Sequence, residues 1–271
     1  MLKWRWITAL VLLPLVLGAV FLLPNAGFAL VMLLVVALGA WEWAALAGLQ
    51  EPGRRAGYVT AVVAIAAGTW LLFPFPLLTA TVLSLGALVW CVLAVWQVRF
   101  ELGLARADAV SGLSGMGLGV LLLVPAWFAL VWMHDRPDGP WVVVVVLVLT
   151  WAADVGAFFA GRWFGRRRLA PRTSPGKTQE GAMGGLVLAV VLVWGMSVVL
   201  PVYLPGFGAL AVLALVTVAA SILGDLFESM IKRLRGVKDS GTLLPGHGGV
   251  LDRIDSLTAT APVFAAGLVW L

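Results

Sequence analysis

Charged residues, histidine and cysteine are all scarce in this 271-residue chain. Only 11% of the residues are charged, and there are two histidines and one cysteine, Cys91. A single cysteine excludes an intramolecular disulfide and a cysteine cluster for zinc. A soluble globular domain carries about 25% charged residues, so the shortage of charge argues against a soluble fold.

Apolar residues take the place of the missing charges. They make up 62% of the chain, and the mean hydropathy is +1.05. Nine segments are long enough, or nearly so, to cross a bilayer as a helix, which takes about 20 residues. We therefore predict an all-α, polytopic integral membrane protein with about nine transmembrane helices. The predicted spans are 6–23, 27–48, 57–73, 77–98, 112–133, 141–164, 182–204, 207–230 and 256–271.

The basic residues predict the orientation through the positive-inside rule. With a cytoplasmic N-terminus, every Lys and Arg except Arg136 lies in a cytoplasmic segment. Loops 165–181 and 231–255 then both face the cytoplasm from a cell (inner) membrane. Lys3 and Arg5 before an apolar run are also typical of a signal peptide, but a retained first helix agrees better with the other loops. The net charge of +5 thus indicates topology rather than nucleic-acid binding, because no soluble basic domain is evident.

We divide the chain into N-terminal membrane helices, 1–110, and a C-terminal catalytic region, 111–271, that contains both polar loops. Within the second part, residues 223–255 concentrate carboxylates, basic residues and glycines. A polar helix face is costly in lipid, so the one found here predicts a cavity or a partner helix beside it. Four residues at helical spacing form that face: Asp225, Glu228, Ser229 and Lys232.

Four acidic residues lie inside predicted spans: Glu42, Asp154, Asp225 and Glu228. An ionisable residue at membrane depth is a functional hypothesis by default. Glu42 could instead lie near the cytoplasmic interface or pair with a basic residue, and Asp154 could be structural. Glu228 could form only an intrahelical pair with Lys232. The neighbouring loop repeats the same chemistry, however, which favours a functional site.

Two loops have the composition of phosphate-binding segments. Ser174, Lys177, Thr178 and exposed backbone N–H groups can cradle phosphate, although 172–181 is also a plausible basic loop flanking a membrane helix. The segment 245–249, Pro-Gly-His-Gly-Gly, is either a flexible turn or a close backbone approach to a phosphate. In the second interpretation His247 donates a hydrogen bond or carries a proton, and Gly248 lets the backbone come near.

Two carboxylates follow that segment at i, i+3. Asp252 and Asp255 could cap or solvate a helix start, or they could bind Mg²⁺, which favours carboxylates together with substrate phosphates. Asp225, in one helix, and Asp252, near the next, would form a natural clamp for a divalent cation. Cationic side chains nearby would neutralise phosphoryl oxygens, and these are Lys232, Arg233, Lys238 and Arg253. The residues alone thus predict a cytoplasm-facing, metal-assisted site for phosphoryl or nucleotidyl transfer.

The order and spacing of these residues resemble the signature of phosphatidate cytidylyltransferases (CDP-diacylglycerol synthases). The C-terminal part reads Ser229-x-x-Lys232-Arg233-x4-Lys238-Asp239, then Pro245-Gly246-His247-Gly248-Gly249-x-x-Asp252-Arg253-x-Asp255. Asp154-x-Gly156-Ala157-Phe158 and Ser174-Pro175-x-Lys177-Thr178-x-Glu180-Gly181 look like further elements of that family. Gly176, Gln179 and Phe158 depart from its common pattern, which affects the expected phosphate contacts of 174–181 but not the C-terminal signature.

The resemblance implies a reaction of CTP with phosphatidic acid that gives CDP-diacylglycerol and pyrophosphate in phospholipid biosynthesis. It also implies Mg²⁺ with a K⁺ ion beside it, and a homodimer in the bilayer. The expected metal ligands are Asp225, Asp252, Asp255 and Asp239. The expected catalytic residues are Asp225, Lys232, Asp252 and Arg253. The expected substrate-binding residues are Ser174, Lys177, Thr178, Glu228, Arg233, Lys238, His247 and Gly248.

Three rival functions use similar residues. A CTP-dependent polyprenol kinase and a CDP-alcohol phosphotransferase are membrane enzymes of related chemistry, but the second has a D-x-x-D-G motif, and here Ser256 follows Asp255. A transporter could use buried carboxylates as an ion path, yet no paired discontinuous segments in two matching halves are visible. The cytidylyltransferase therefore remains the favoured interpretation.

Overall fold

The computed structural model describes residues 2–104, 111–202, 204–243 and 248–271. Within these ranges the only strands are β1 (Arg168–Ala170) and β2 (Ser174–Thr178), which form an antiparallel hairpin between the sixth and seventh helices. A short 3₁₀ turn, Trp70–Leu72, follows the third helix. The same ranges contain nine α-helices: α1 (Leu2–Leu22), α2 (Asn25–Leu46), α3 (Pro52–Thr69), α4 (Pro76–Glu101), α5 (Gly112–His134), α6 (Gly139–Phe164), α7 (Gln179–Val199), α8 (Phe207–Leu234) and α9 (Leu251–Trp270).

Each helix overlaps one predicted span, and the prediction of an all-α polytopic membrane protein is confirmed. Among the described residues, the seven helices α2 to α8 are long and apolar enough to cross a membrane. Helix α1 contributes only the shorter apolar stretch Leu10–Leu22, and the first five residues of α9 include Asp252, Arg253 and Asp255. The count of nine spans is therefore not confirmed, although nine helices are present in these ranges.

Helix α9 occupies the middle of the bundle, where it packs against α2, α4, α5, α6 and α8. Its buried residues include Phe264 and the threonines Thr258 and Thr260. The indole N–H of Trp90, on α4, donates to the Thr258 carbonyl oxygen at 3.0 Å. Breaking this hydrogen bond would leave a buried N–H group unpaired, which is unfavourable in a low-dielectric interior. The position of α9 is thus set by helices from both halves of the chain.

Helices α6 and α7 approach each other closely because glycines line their interface. A Cβ atom on Gly156 would lie 2.7 Å from the Gly184 carbonyl oxygen, and one on Gly185 would lie 2.7 Å from the Ala153 carbonyl oxygen. Small residues allow such close backbone packing between membrane helices. The α6–α7 pair in turn supports the hairpin that connects them.

Polar contacts cluster at the two ends of the bundle. At one end the Gly112 N–H donates to the Ala47 carbonyl oxygen at 3.1 Å, and the ends of α4, α6 and α8 meet the hairpin and the start of α9. At the other end the ring of His134 lies 2.9 Å from the Val20 carbonyl oxygen and 3.1 Å from Asn25 Oδ1. Loop 165–181 and the described residues of 231–255 lie at the same end, as alternating spans predict, because Lys177 contacts Asp225 and Ser240 contacts Asp252 there.

Candidate active site

The polar face of α8 forms as its spacing predicts. Hydrogen bonds link side chains one turn apart: Ser229 Oγ donates to Asp225 Oδ1 at 3.3 Å, and Lys232 Nζ donates to Glu228 Oε2 at 3.2 Å. Glu228 and Lys232 are buried. Buried charge is stable only when it is paired and hydrogen-bonded, so this face needs partners from other elements.

The first turn of α9 supplies the main partner. Lys232 Nζ lies 2.5 Å from Asp252 Oδ1, in addition to its contact with Glu228. The intrahelical pair considered from the sequence is therefore present, but it belongs to a larger cluster that connects α8 to α9. A Cβ atom on Gly224 would lie 2.7 Å from the Asp255 carbonyl oxygen, so glycine at this position lets the two helices come close.

The second oxygen of Asp252 binds the chain that leads into α9. Its Oδ2 accepts hydrogen bonds from the Ser240 N–H at 2.9 Å and the Gly249 N–H at 2.8 Å. Asp252 lies before the predicted ninth span, 256–271, and is therefore outside the apolar segment. Burial by itself raises the pKa of Asp252, but the Lys232 ammonium and the two backbone N–H groups lower it below its usual range. The carboxylate is consequently ionised at neutral pH.

A second pair of carboxyl groups lies deeper between the helices. Those of Glu228 and Asp255 interact electrostatically with each other, and Asp255 also interacts with Asp225. Among the described groups, no hydrogen-bond donor reaches the buried Glu228 Oε1 atom. Two adjoining carboxyl groups need a shared proton or a cation between them. The Lys232 ammonium already supplies one positive charge to this pair, at 3.2 Å from Glu228 Oε2.

The hairpin completes the cluster from the other loop. Lys177, on β2, places its Nζ atom 2.5 Å from Asp225 Oδ2. The Lys177 and Asp225 side chains are 30% and 28% exposed, so the pair lies at the accessible edge of the site. Thr178 ends β2 and caps α7, its hydroxyl oxygen accepting from the Gly181 N–H at 3.1 Å. Ser174 lies at the far end of β2, opposite Ala170.

A cavity of about 390 Å³ adjoins this edge. Its polar lining includes Asp154, Lys177 and Thr178, and its apolar lining includes Phe158 and Ile222. Asp154 interacts electrostatically with Lys177, Asp225 and Arg253. A pocket with apolar walls and a few convergent polar groups is the usual form of a ligand site. Asp154, which was outside the predicted site, thus belongs to it.

Carboxylates hold the hairpin in place from two sides. Glu101, at the end of α4, accepts hydrogen bonds from the N–H groups of Arg172 and Thr173, each at 3.0 Å. The Thr173 hydroxyl also contacts Glu101 and lies 3.0 Å from Gln97 Nε2. On the other side, the Glu180 carboxylate accepts from the Arg166 N–H at 3.0 Å. These contacts fix the strand that presents Lys177.

A third carboxylate, Glu42 of α2, lies beneath the start of α9. It accepts hydrogen bonds from the N–H groups of Val250 and Leu251 at 3.0 and 2.7 Å. The Ser240 hydroxyl lies 3.0 Å from Glu42 Oε2. Sequence reasoning identified Glu42 as an intramembrane acid but favoured an interfacial position or a basic partner. In the structure it lies in the last turns of α2, close to one end of the helix, and backbone N–H groups take the place of a basic partner. No sequence spacing connects it with residues 250 and 251.

The remaining predicted residues lie around the rim or outside the described chain. Arg233, Lys238, Asp239 and Arg253 are exposed. Gly248 has φ +80°, and a Cβ atom there would lie 2.6 Å from Asp252 Oδ2, so the backbone does approach the site. His247 and the residues directly before it lie outside the described ranges.

The predicted metal ligands lie on α8, on α9 and in the loop between these helices. Among the described residues, no group of three or more His, Cys, Asp and Glu side chains is arranged so as to hold a metal ion. Asp255 interacts electrostatically with Asp225 across α8 and α9, Asp252 is bound to Lys232, and Asp239 is exposed at the rim. Mg²⁺ favours carboxylate oxygens as ligands. The binding of Mg²⁺ and K⁺ stays a prediction.

The chain is similar to known proteins over nearly its whole length. The model of the cytidylyltransferase family matches residues 3–271. A phosphatidate cytidylyltransferase of Pseudomonas aeruginosa is 48% identical, with 100% of this chain and 97% of that protein aligned. The proteins of the same name from Haemophilus influenzae and Brucella suis are 40% and 36% identical, and at least 90% of each chain is aligned.

Proposed function

This chain belongs to the cytidylyltransferase family, and we propose that it transfers a cytidylyl group from CTP to phosphatidic acid. The products are CDP-diacylglycerol and pyrophosphate, and the reaction serves phospholipid biosynthesis. Relatives that are aligned over nearly their whole length are named phosphatidate cytidylyltransferase. The multi-pass membrane fold suits a reaction in which one substrate is a lipid and the other is water-soluble.

The contact between Lys177 and Asp225 is the observation on which the proposal depends most. These residues are 48 positions apart and belong to two different motifs, yet their side-chain atoms are 2.5 Å apart. The contact unites the basic loop and the carboxylate helix in one site. That site then holds both signs of charge beside a cavity with an apolar wall, as a nucleotide and a lipid phosphate together require.

In the proposed reaction, an oxygen of the lipid phosphate attacks the α-phosphorus of CTP. A new phosphorus–oxygen bond forms there, the bond to the β-phosphate oxygen breaks, and pyrophosphate leaves. A phosphomonoester oxygen is already anionic at pH 7, so the reaction needs no strong general base. Catalysis then consists mainly of positioning the two phosphates and neutralising their charge.

Particular side chains suit each of these tasks. Lys177 and Arg253 lie at the accessible edge, where they can bind phosphoryl oxygens. Lys232 is buried and links the carboxylates of α8 and α9, so it can keep Asp252 oriented. Rim residues Arg233 and Lys238 add positive charge on the approach to the site. Ser174, Thr178, Glu228, His247 and Gly248 are the further residues that we assign to substrate binding.

The carboxylates would hold the cations. We assign Asp225, Asp252 and Asp255 to Mg²⁺, with Asp239 as an additional ligand, and K⁺ beside it. Mg²⁺ held by these carboxylates would supply positive charge that neutralises the phosphate oxygens of the nucleotide. Among the described residues no hydrogen-bond donor reaches the buried Glu228 Oε1 atom, which supports a cation in this region.

We further propose that the site faces the cytoplasm from the inner membrane, that residues 111–271 form the catalytic part, and that the protein is a homodimer. The distribution of basic residues supports the orientation, because positive charge is enriched in cytoplasmic loops.

Pyrophosphate release by the purified protein tests the reaction. The assay contains detergent, Mg²⁺ and CTP, with and without phosphatidic acid, and ATP replaces CTP in the control. We expect release only when both CTP and the lipid are present. Transfer from another nucleotide, or to another lipid, would contradict the proposed substrates, whereas no release under any condition would contradict the reaction itself.

A further inference from the structure

Glu42 is the most deeply buried acidic side chain near the site, with 2% of its surface exposed. It belongs to α2, 198 to 209 residues away in the sequence from the residues that donate hydrogen bonds to it. Within the described residues, no ion pair involves its carboxylate. A buried carboxylate of this kind is stable only if hydrogen-bond donors compensate its charge, so its donors indicate what it does.

The start of α9 provides those donors and requires such an acceptor. The residue before α9 is Val250, whose side chain cannot cap a helix, and no side-chain cap is present there. The first N–H groups of a helix have no partner within the helix. Glu42 accepts from two of them, the N–H groups of Val250 and Leu251, and its negative charge complements the positive end of the helix dipole.

The Ser240 hydroxyl connects this cap to the reactive part of the site. It lies 3.0 Å from Glu42 Oε2 and 2.9 Å from Asp252 Oδ2. Its single proton serves one carboxylate at a time, so it sits between two anions and ties their positions together. The backbone packs tightly around the Glu42 carboxylate, because a Cβ atom on Gly241 or Gly249 would collide with it.

We propose that Glu42 is a positioning residue of the active site, which orients Asp252 by capping α9 and by sharing Ser240 with it. The contact gives one of the N-terminal helices a defined role in a reaction whose charged groups come from the other half of the chain. This inference rests on the proposed function for its kinetic consequences, but the hydrogen-bonding role of Glu42 is independent of it.

Replacing Glu42 with Gln tests the role at nearly constant volume. One of the two oxygens becomes an amide NH₂ group, which cannot accept a hydrogen bond, so at least one donor of α9 or Ser240 is left unpaired. A displacement of about 1 Å in a catalytic group costs roughly 10²-fold. We expect kcat per folded enzyme to fall about 10- to 100-fold, with the KM for CTP changed by less than about 3-fold.

Hydrogen exchange of the backbone supplies a readout other than activity. In Glu42→Gln, amides 250 and 251 should exchange faster than in the wild type, while those of α5 and α6 stay unchanged. The matched control is Glu51→Gln, because the Glu51 carboxylate is exposed and pairs only with Arg54 at 2.9 Å in the described chain. It should leave both kcat and exchange as in the wild type.

A second variant keeps the proposal testable if Glu42→Gln does not fold. Ser240→Ala leaves the bonds from Glu42 to α9 and removes the shared hydroxyl, and it should lower kcat about 3- to 10-fold. Unchanged kcat in Ser240→Ala, or unchanged kcat and exchange in folded Glu42→Gln, would overturn the proposal. A wild-type protein that releases no pyrophosphate would overturn the function instead, and the exchange result would still test the cap.

Discussion

The hairpin and the start of α9 are held by the same type of contact in different surroundings. In each case a carboxylate from the N-terminal helices accepts hydrogen bonds from two consecutive backbone N–H groups: Glu101 those of Arg172 and Thr173, and Glu42 those of Val250 and Leu251. Glu101 lies near the surface, whereas Glu42 is almost completely buried. Water can reach the exposed Arg172 N–H group at the first contact but not the buried Glu42 at the second, so the two contacts should differ in importance.

They also differ in what they hold. The hairpin presents one cation, Lys177, at an accessible edge, while α9 presents Asp252 inside a buried network with Lys232 and Glu228. Breaking a buried network leaves charges unpaired, whereas breaking an exposed one leaves them in water. The comparison therefore predicts larger effects at α9 than at the hairpin for matched substitutions.

Asp252→Asn should have the largest effect. It removes the charge that faces Lys232 and one of the proposed Mg²⁺ ligands, so turnover should fall by about 10³-fold or more. The pyrophosphate assay measures the loss, and size-exclusion chromatography in detergent checks the fold. The matched control is Asp135→Asn, at the opposite end of the bundle, where Asp135 accepts from Asn25. Near-normal turnover in Asp252→Asn would remove Asp252 as an essential residue.

Lys177→Met should come next, with a loss of about 10²-fold in kcat/KM. The substitution keeps the length of the side chain and removes the charge at the edge of the cavity. Steady-state kinetics with CTP as the varied substrate would show whether binding or turnover suffers. If the loss equalled that of Asp252→Asn, the proposed difference between edge and interior would be wrong.

Glu101→Gln should have a smaller effect than the same substitution at Glu42. Arg172 is exposed, so water can satisfy its N–H group, and the oxygen that glutamine keeps can still accept from the buried Thr173 N–H group. We therefore expect kcat to fall by less than about 3-fold. Measuring both variants in one preparation tests the comparison directly. A loss at Glu101 as large as that at Glu42 would show that burial does not decide the importance of these contacts.

Cysteine labelling tests the orientation by a readout that does not depend on enzyme activity. In a Cys91→Ala background, Gly176→Cys on the hairpin and Gly206→Cys before α8 both have open space for a side chain. A membrane-impermeant maleimide should label position 206 in intact spheroplasts and position 176 only in inverted vesicles. Labelling of position 176 from outside would reverse the proposed topology.

Local patterns were sufficient for most of the fold and for the core of the site. Apolar length predicts all nine helices because a spanning helix must satisfy its own backbone, and the spacing from Asp225 to Lys232 predicts one face because helical periodicity is fixed. The hairpin was not predicted, since its strands are short and polar. Asp154 was recognised as an intramembrane acid, but its place beside Lys177 depends on how closely α6 and α7 pack.

Sequence alone thus determined the membrane class, the helical segments and the residues whose chemistry suits phosphate and Mg²⁺, because these follow from composition and periodicity. Only the tertiary structure decided that Lys177 meets Asp225, that Lys232 joins Glu228 to Asp252, and that Glu42 caps α9. These contacts connect residues from different helices, and the packing of the bundle, not the distance along the chain, determines which buried charge meets which donor.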